Sequence, residues 1–223
     1  MTGPLPLVVD WDGTVTERDT LHMVIERFGD LDVFHRMEEE IGRRLTLREV
    51  IRVEMATIDA PLEVVVRWLL GAVRVRPGLA RLVEEHDPLI VSAGFHELID
   101  PVLAREGVVA RVVANRVTEG PNGWTTTFAP AETCDVCGEA CKRSAVQAHT
   151  AFAFVGDGIS DRCVSLAATR VFARDGLARW LDERGVRFEP YETLDDVADA
   201  LAAPRQARGA AVVPPTRRRG RKT

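Results

Sequence analysis

The sequence has no apolar run of the roughly 20 residues needed to cross a bilayer. Near residue 1 it also lacks a basic segment followed by a hydrophobic one, so a cytoplasmic protein without membrane association is expected. Cysteine is scarce: there are four in 223 residues, and three crowd at 134, 137 and 141. So small a set in a cytosolic chain favours a metal site or free thiols over a disulfide framework. No internal repeat is visible. Acid is missing from the C-terminal stretch, where residues 205–223 hold seven Lys or Arg and no Asp or Glu, although the whole chain carries a net charge of −5. With its Ala and Pro content, segment 204–223 reads as a disordered basic tail, and contact with nucleic acid is its minor reading. The remainder is ordinary for a globular protein, at 46% hydrophobic and 28% charged residues. The length suits one α/β core with a small accessory domain.

What is present is organised around residues 5–14. Leu5 to Val9 is a short apolar run of the kind buried in a parallel sheet, and it ends in Asp10 and Asp12, followed at once by Gly13 and Thr14. Ligands of open α/β sheets bind at the carboxyl ends of the strands. Two acids one residue apart at such a place repel each other unless a cation neutralises them, and a hard, oxygen-seeking ion such as Mg²⁺ fits. Taken alone, the pair reads first as a strand running into an acidic turn. An EF-hand is excluded because Gly13 follows immediately and no acidic ligand closes the loop.

Helical spacing then dominates to about residue 75. Leu21 to Phe28, Val33 to Ile41, Leu47 to Ile58 (Thr46 as N-cap, Glu49 three residues on) and Pro61 to Leu70 form an all-helical insert over 15–76. A plain crossover between strands is far shorter, so the insert reads as a cap. The core resumes with a helix at 77–85, a strand at 88–92 ending in Ser92, and a helix from Phe95 to Glu106. Ser92 itself reads as a helix cap or as a hydroxyl facing an anion. Two strands flank a turn at 120–123, and a Cys-rich loop leads into a helix from Lys142 to His149. A strand at 151–155 ends at Asp157 and Asp161. Strands at 171–173 and 186–188 alternate with helices at 175–184 and 194–201. The fold class is α/β: a Rossmann-like parallel sheet core (1–14 and 77–203) with the helical cap inserted.

Three strand ends thus offer Asp10 with Asp12, Ser92, and Asp157 with Asp161, and Lys142 opens a helix between the last two. Carboxylates, a hydroxyl and an ammonium in one crevice suit metal-assisted phosphoryl transfer. Asp10-Trp11-Asp12-Gly13-Thr14-Val15-Thr16 resembles the first motif of the haloacid dehalogenase superfamily of phosphatases. Ser92, Lys142 and Gly156-Asp157-Gly158 with Asp161 resemble its second, third and fourth motifs, and the insert is similar to the cap of its phosphoserine-phosphatase-like branch. Within that branch the closer likeness is to the 2-hydroxy-3-keto-5-methylthiopentenyl-1-phosphate phosphatases of methionine salvage. These share a Cys-rich loop running into the motif Lys and a stretch like Phe172-Ala173-Arg174-Asp175.

The resemblance implies that Asp10 attacks phosphorus to form an aspartyl-phosphate, and that Asp12 protonates the leaving oxygen and then activates water. It implies Mg²⁺ held by Asp10, the Asp12 carbonyl and Asp157, with Asp161 supporting the site. Ser92, Gly94 and Lys142 are the implied phosphate ligands. The substrate is a small phosphorylated metabolite, either the methionine-salvage ester or, alternatively, phosphoserine, phosphocholine, phosphoethanolamine or a sugar phosphate. Phosphoserine fits poorly: the place of the Arg that pairs with its carboxylate falls on Glu54, and Arg52 would serve only if the helix were rotated. Asp19, Arg43 and Arg52 are the cap candidates for substrate contact. A structural Zn²⁺ wants four ligands, whereas the loop supplies Cys134, Cys137 and Cys141. His149 or Cys163 would have to complete the set, and a flap of packed thiols is the other reading.

Overall fold

The computed structural model describes residues 5–129 and 132–203, so the basic tail expected at 204–223 lies outside the described residues. The chain opens with β1 (Leu7–Val9) and then runs through four helices, α1 (Thr20–Phe28), α2 (Leu31–Glu38), α3 (Leu47–Met55) and α4 (Leu62–Ala72). It continues with α5 (Leu79–His86), β2 (Leu89–Phe95), α6 (His96–Arg105), β3 (Arg111–Thr118) and β4 (Thr125–Thr127). A short 3₁₀ helix, Lys142–Val146, precedes β5 (Ala153–Gly156), α7 (Arg162–Ser165), β6 (Arg170–Ala173), α8 (Asp175–Asp182), β7 (Glu189–Pro190) and α9 (Leu194–Ala202).

The strands form one sheet in the order β4-β3-β2-β1-β5-β6-β7, parallel except for the β3–β4 hairpin. From β1 the connections go first to β2 and β3 on one side and later to β5 and β6 on the other, so the strand order reverses at β1 and leaves a crevice at its carboxyl end. Both faces of the sheet are covered. Leu7 and Val9 face one core with α5, α6 and α9, while Val8 faces another with α7 and α8. That explains why β1 is apolar at every position instead of alternating.

Local chemistry sets the helix starts. Asp19 accepts from the His22 amide at 2.9 Å and Asp30 from the Asp32 and Val33 amides at 2.9 and 3.0 Å. Thr46 with Glu49 and Thr193 with Asp196 make capping boxes. Two expected elements differ. The helix expected over 142–149 is a 3₁₀ turn ending at Val146, because the Ser144 amide and hydroxyl both reach the Cys141 carbonyl, at 3.1 and 2.6 Å, and wind the chain tighter. The last strand falls at Glu189–Pro190, just beyond the expected 186–188, in register with Phe172 and Ala173. Among the described residues no helix is long and apolar enough to cross a membrane.

The helical segment leaves and re-enters the sheet region as a pair of adjacent strands of chain. Thr16 bridges Val75, the Glu17 amide donates to Arg74 O at 3.0 Å, and the Arg76 amide donates to Val15 O at 2.8 Å. The β3–β4 hairpin meets the same segment from the other side: Trp124 Nε1 donates to Ala60 O at 2.9 Å and the Trp124 amide to Met55 O at 3.3 Å.

Candidate active site

β1 ends at Asp10, whose amide still donates to Val155 O at 2.9 Å, so the sheet fixes the backbone where the side chain leaves it. Gly13, at φ +74°, turns the chain away. The Trp11 carbonyl then collects the amides of Val15 and Thr16 at 2.8 and 3.0 Å. A methyl group on Gly13 would land on the Asp157 carboxylate, so glycine is what lets the two acidic turns approach.

Oxygens of Asp10, Asp157 and Asp161 lie within 4.8 Å of one another. Lys142 Nζ stands between two of them, paired with Asp10 and, at 2.7 Å, with Asp161. All three members of this pairing are buried. Asp161 is held on its other oxygen as well, by the amides of Asp157 and Gly158 at 2.9 and 3.0 Å. Asp157 Oδ1 accepts from the Thr14 hydroxyl at 3.0 Å, and the buried Tyr191 hydroxyl donates to Thr14 Oγ1 at 3.4 Å. Asp12 stands apart from the trio. Its Oδ1 accepts from the Thr20 amide at 2.8 Å and from the Thr20 hydroxyl, and its Oδ2 accepts from Ser92 Oγ at 3.4 Å. Ser92 caps no helix, since β2 runs on to Phe95, and its Oγ accepts from the Gly94 amide at 2.8 Å.

Burial raises Asp10 well above the ordinary carboxylate range, Asp161 adds to this, and Lys142 draws it back. Asp12 is pushed up to about 7 by burial and then by Asp19, against the hydrogen bonds from Thr20. Asp157 is likewise pushed up to about 7, by burial and then by Asp161. Burial works against the charge on Lys142, but Asp10 and Asp161 outweigh it and raise its pKa. A buried floor of mutually repelling oxygen donors with one ammonium is what a hard divalent cation would relieve, and the donor set fits Mg²⁺.

Above the floor lies a cavity of about 250 Å³, roofed by residues of α1, α2 and α3 that include His22, Phe34, Glu38, Ile51 and Glu54. Phe34 stacks on His22 with ring centroids 4.5 Å apart. Glu54 is only 3% exposed. Its Oε1 has no hydrogen-bond partner among the described residues. Burial, then Glu38 and Asp19, push Glu54 up to about 8, so it is a carboxylic acid at neutral pH.

A family model for haloacid dehalogenase-like hydrolases matches residues 7–165, from the first residue of β1 to just past Asp161. The chain belongs to the haloacid dehalogenase-like hydrolase family. Among its curated relatives, a 2-hydroxy-3-keto-5-methylthiopentenyl-1-phosphate phosphatase of Geobacillus kaustophilus is 27% identical over 90% of this chain and 97% of its own length. The protein of that name from Exiguobacterium is 24% identical over 86% and 94%. Among solved structures, a phosphoserine phosphatase carrying a phospho-aspartyl intermediate analogue superposes with a TM-score of 0.67 at 15% identity, over 89% of this chain and 99% of that one. A phosphoserine phosphatase from T. onnurineus gives 0.64 at 14% identity, over 89% and 94%. The hydrolase is therefore an enzyme of the phosphatase class, as the four sequence motifs implied.

Not every residue singled out in the sequence of the hydrolase reaches this cavity. Asp19 does, as the cap of α1. Arg43 is exposed in the turn after α2, and the Arg52 guanidinium lies over the Phe128 ring at 5.2 Å, so neither lines it. α3 buries Val50, Ile51, Glu54 and Met55, and a residue at position 52 projects from the opposite face. Glu54 and Glu38 take the inward places instead. Arg76 had no functional reading in the sequence. It is 9% exposed, and its guanidinium donates to the carbonyls of Thr14, Gly13 and Glu192 at 3.0, 3.1 and 3.1 Å. Cys134, Cys137 and Cys141 are joined by Cys163 in a second group of potential metal donors. His149 is not part of it.

Proposed function

We propose that this phosphatase hydrolyses a small phosphomonoester bound between the acidic floor and the helical roof, through an aspartyl-phosphate on Asp10. The observation that carries the reading is the buried Asp10 carboxylate paired with Lys142, with a second, separately held carboxyl group, Asp12, beside it. Asp10 Oδ attacks phosphorus as the bond to the ester oxygen breaks, and Asp12 gives that oxygen its proton. Asp12 then takes a proton from the water that attacks the acyl-phosphate, restoring Asp10 and releasing phosphate. A carboxyl group poised at about 7 suits a residue that must be protonated in one step and ionised in the next. Ser92, Lys142 and, on release from Ser92 Oγ, the Gly94 amide are the donors within reach of the phosphoryl oxygens. Asp10, Asp157 and the Asp12 carbonyl would hold Mg²⁺, with Asp161 anchoring the turn behind them. The ion would supply charge neutralisation for the phosphoryl group among so many carboxylates. In this reading residues 15–76 act as a cap over a core of 5–14 and 77–203.

For the substrate, we infer 2-hydroxy-3-keto-5-methylthiopentenyl-1-phosphate, the ester named in the chain's curated relatives. Its name gives a hydroxyl, a ketone and a thioether. The protonated Glu54 can donate to the ketone or accept from the hydroxyl, and Phe34, Ile41, Leu47 and Ile51 offer an apolar wall for the methylthio end. Glu38 and Asp19, which also line the cavity, disfavour the carboxylate of phosphoserine. The same acids favour a cationic head such as phosphocholine or phosphoethanolamine, which makes these the second reading. Steady-state kinetics on all four esters, with Mg²⁺, after EDTA treatment and after Mg²⁺ is restored, tests both. The reading expects metal-dependent turnover with the highest kcat/KM for the methylthio ester. A preference for phosphoserine, or full activity in EDTA, overturns it.

A further inference from the structure

Four cysteines are all that this chain contains, and they meet at one place. Their Sγ atoms lie within 4.8 Å of one another, with Cys134 and Cys163 at 3.9 Å, and none is in a disulfide. A tetrahedral ion with metal–sulfur bonds of about 2.3 Å sets its four sulfurs about 3.8 Å apart. The spacing of the thiols is close to that of such a shell. Three ligands come from one loop, and the fourth comes from α7, more than twenty residues on in the sequence, which is a reason for the loop to sit where it does.

The surroundings agree. Against burial, the Val136 and Cys137 amides that face Cys134 Sγ hold its thiol down to about 7. The turn that aims them is closed by Gly138 N to Cys134 O and Cys134 N to Glu139 O, both at 2.9 Å, with Gly138 at φ +74°. Amide donors to a sulfur hold it as an oriented thiolate ligand. Arg48 and Arg162 line the cavity onto which Cys137, Cys141 and Cys163 open, and they offset the charge that four thiolates leave around a divalent ion. Soft sulfur donors exclude Mg²⁺ and Ca²⁺ and select zinc or iron, and a closed four-sulfur shell without an open position is that of a structural ion.

We propose that Cys134, Cys137, Cys141 and Cys163 bind one structural zinc ion, separate from the carboxylate site, which staples the 132–141 loop to α7. Cys141 directly precedes Lys142, and Cys163 follows Asp161 by two residues. The ion therefore ties together the two chain segments that carry the buried Lys142–Asp161 pair. The inference does not rest on the choice of phosphatase substrate.

The test uses the full-length chain produced in zinc-supplemented medium and exchanged by gel filtration into metal-free, chelator-free buffer. Elemental analysis should then find one zinc per chain, and native thiol titration should find the cysteines protected until a soft-metal chelator is added. Replacement by Co²⁺ should give sulfur-to-cobalt charge-transfer bands together with the strong visible bands of a tetrahedral thiolate site. Cys163→Ser should weaken zinc retention by at least about tenfold. Because that variant disturbs a packed position, the exposed Cys137→Ser serves as the second and should behave alike. Four reactive thiols with no bound metal in the wild type, iron in place of zinc, a disulfide among the four, or zinc held equally well by both variants would each overturn the proposal.

Discussion

At the scale of single residues, the site depends on a few carboxylate oxygens at the floor of the cavity. Replacing Asp10 by Asn keeps the side-chain shape and one acceptor oxygen but removes the nucleophile, since an amide cannot form the acyl-phosphate. Asp10→Asn is expected to lose turnover of p-nitrophenyl phosphate to background while its circular dichroism and unfolding midpoint stay near those of the wild type. Wild-type-like hydrolysis would remove Asp10 from the role. Gly13→Ala acts differently: it forces a side chain into a positive-φ position and onto the Asp157 carboxylate. An expected loss of roughly 10- to 100-fold in apparent Mg²⁺ affinity, read from the metal dependence of the rate, follows from displacing a ligand's support. The Asp positions were readable in the sequence because apolar strands end in acidic turns there, whereas Lys142, which opens a helix after a loop, stood out only through the order of the motifs. Helix spacing alone did not mark Glu54 as an inward group, because an amphipathic helix reports that it has a buried face without reporting which cavity that face meets. Only the resemblance set it at a substrate-facing place.

At the scale of elements, the connection between sheet and helical segment is a two-stranded neck buttressed by Arg76. The sequence showed Arg76 only as one cation before Pro77, since nothing local reveals that three distant carbonyls converge on its guanidinium. Arg76→Ala leaves those carbonyls without their donor. It should lower the free energy of unfolding by roughly 2–4 kcal/mol in a guanidinium titration, and, at temperatures where it stays folded, reduce kcat, because Gly13 and Thr14 belong to the acidic turn. Unchanged stability would show that the neck holds without it. Sheet and helix existence were readable throughout from apolar periodicity, and the Thr46–Glu49 pair marked the start of α3. The stretch after Lys142 misled because its composition suits an α-helix while the Ser144–Cys141 closure makes it a 3₁₀ turn.

At the scale of the whole molecule, a protein that buries several carboxyl groups with raised pKa values ties its stability to pH. Glu54 offers the cleanest share, with Oε1 unpartnered among the described residues and its pKa pushed from 4.5 up to about 8. The unfolded chain ionises it above pH about 4.5 and the folded chain only near 8, so between these values the unfolded state binds fewer protons. Stability therefore falls as pH rises across that window. Glu54→Gln should remove part of the fall, gaining roughly 1–3 kcal/mol on the wild type between pH 5 and pH 8 in urea melts. A difference between the two proteins that stays constant with pH would refute the assignment. The parallel sheet with its helical insertion was readable because strand ends, glycines and helix spacing all agreed. The sequence named both His149 and Cys163 as possible partners of the loop cysteines, and the choice of Cys163 was out of its reach, since it depends on how α7 packs against the segment after Cys141.

The bonds from Trp124 to Ala60 and Met55 give the helical roof one fastened side. α2 takes part in neither these bonds nor the neck, and it has no buried residue of its own although Phe34 and Glu38 reach the cavity from it. Such a roof behaves as a door hinged along the hairpin, and the cheapest way to open it is to swing α2 outward. Metabolites should enter and phosphate should leave beneath that edge, which makes α2 the part of the enzyme that sets the pace of traffic rather than the chemistry.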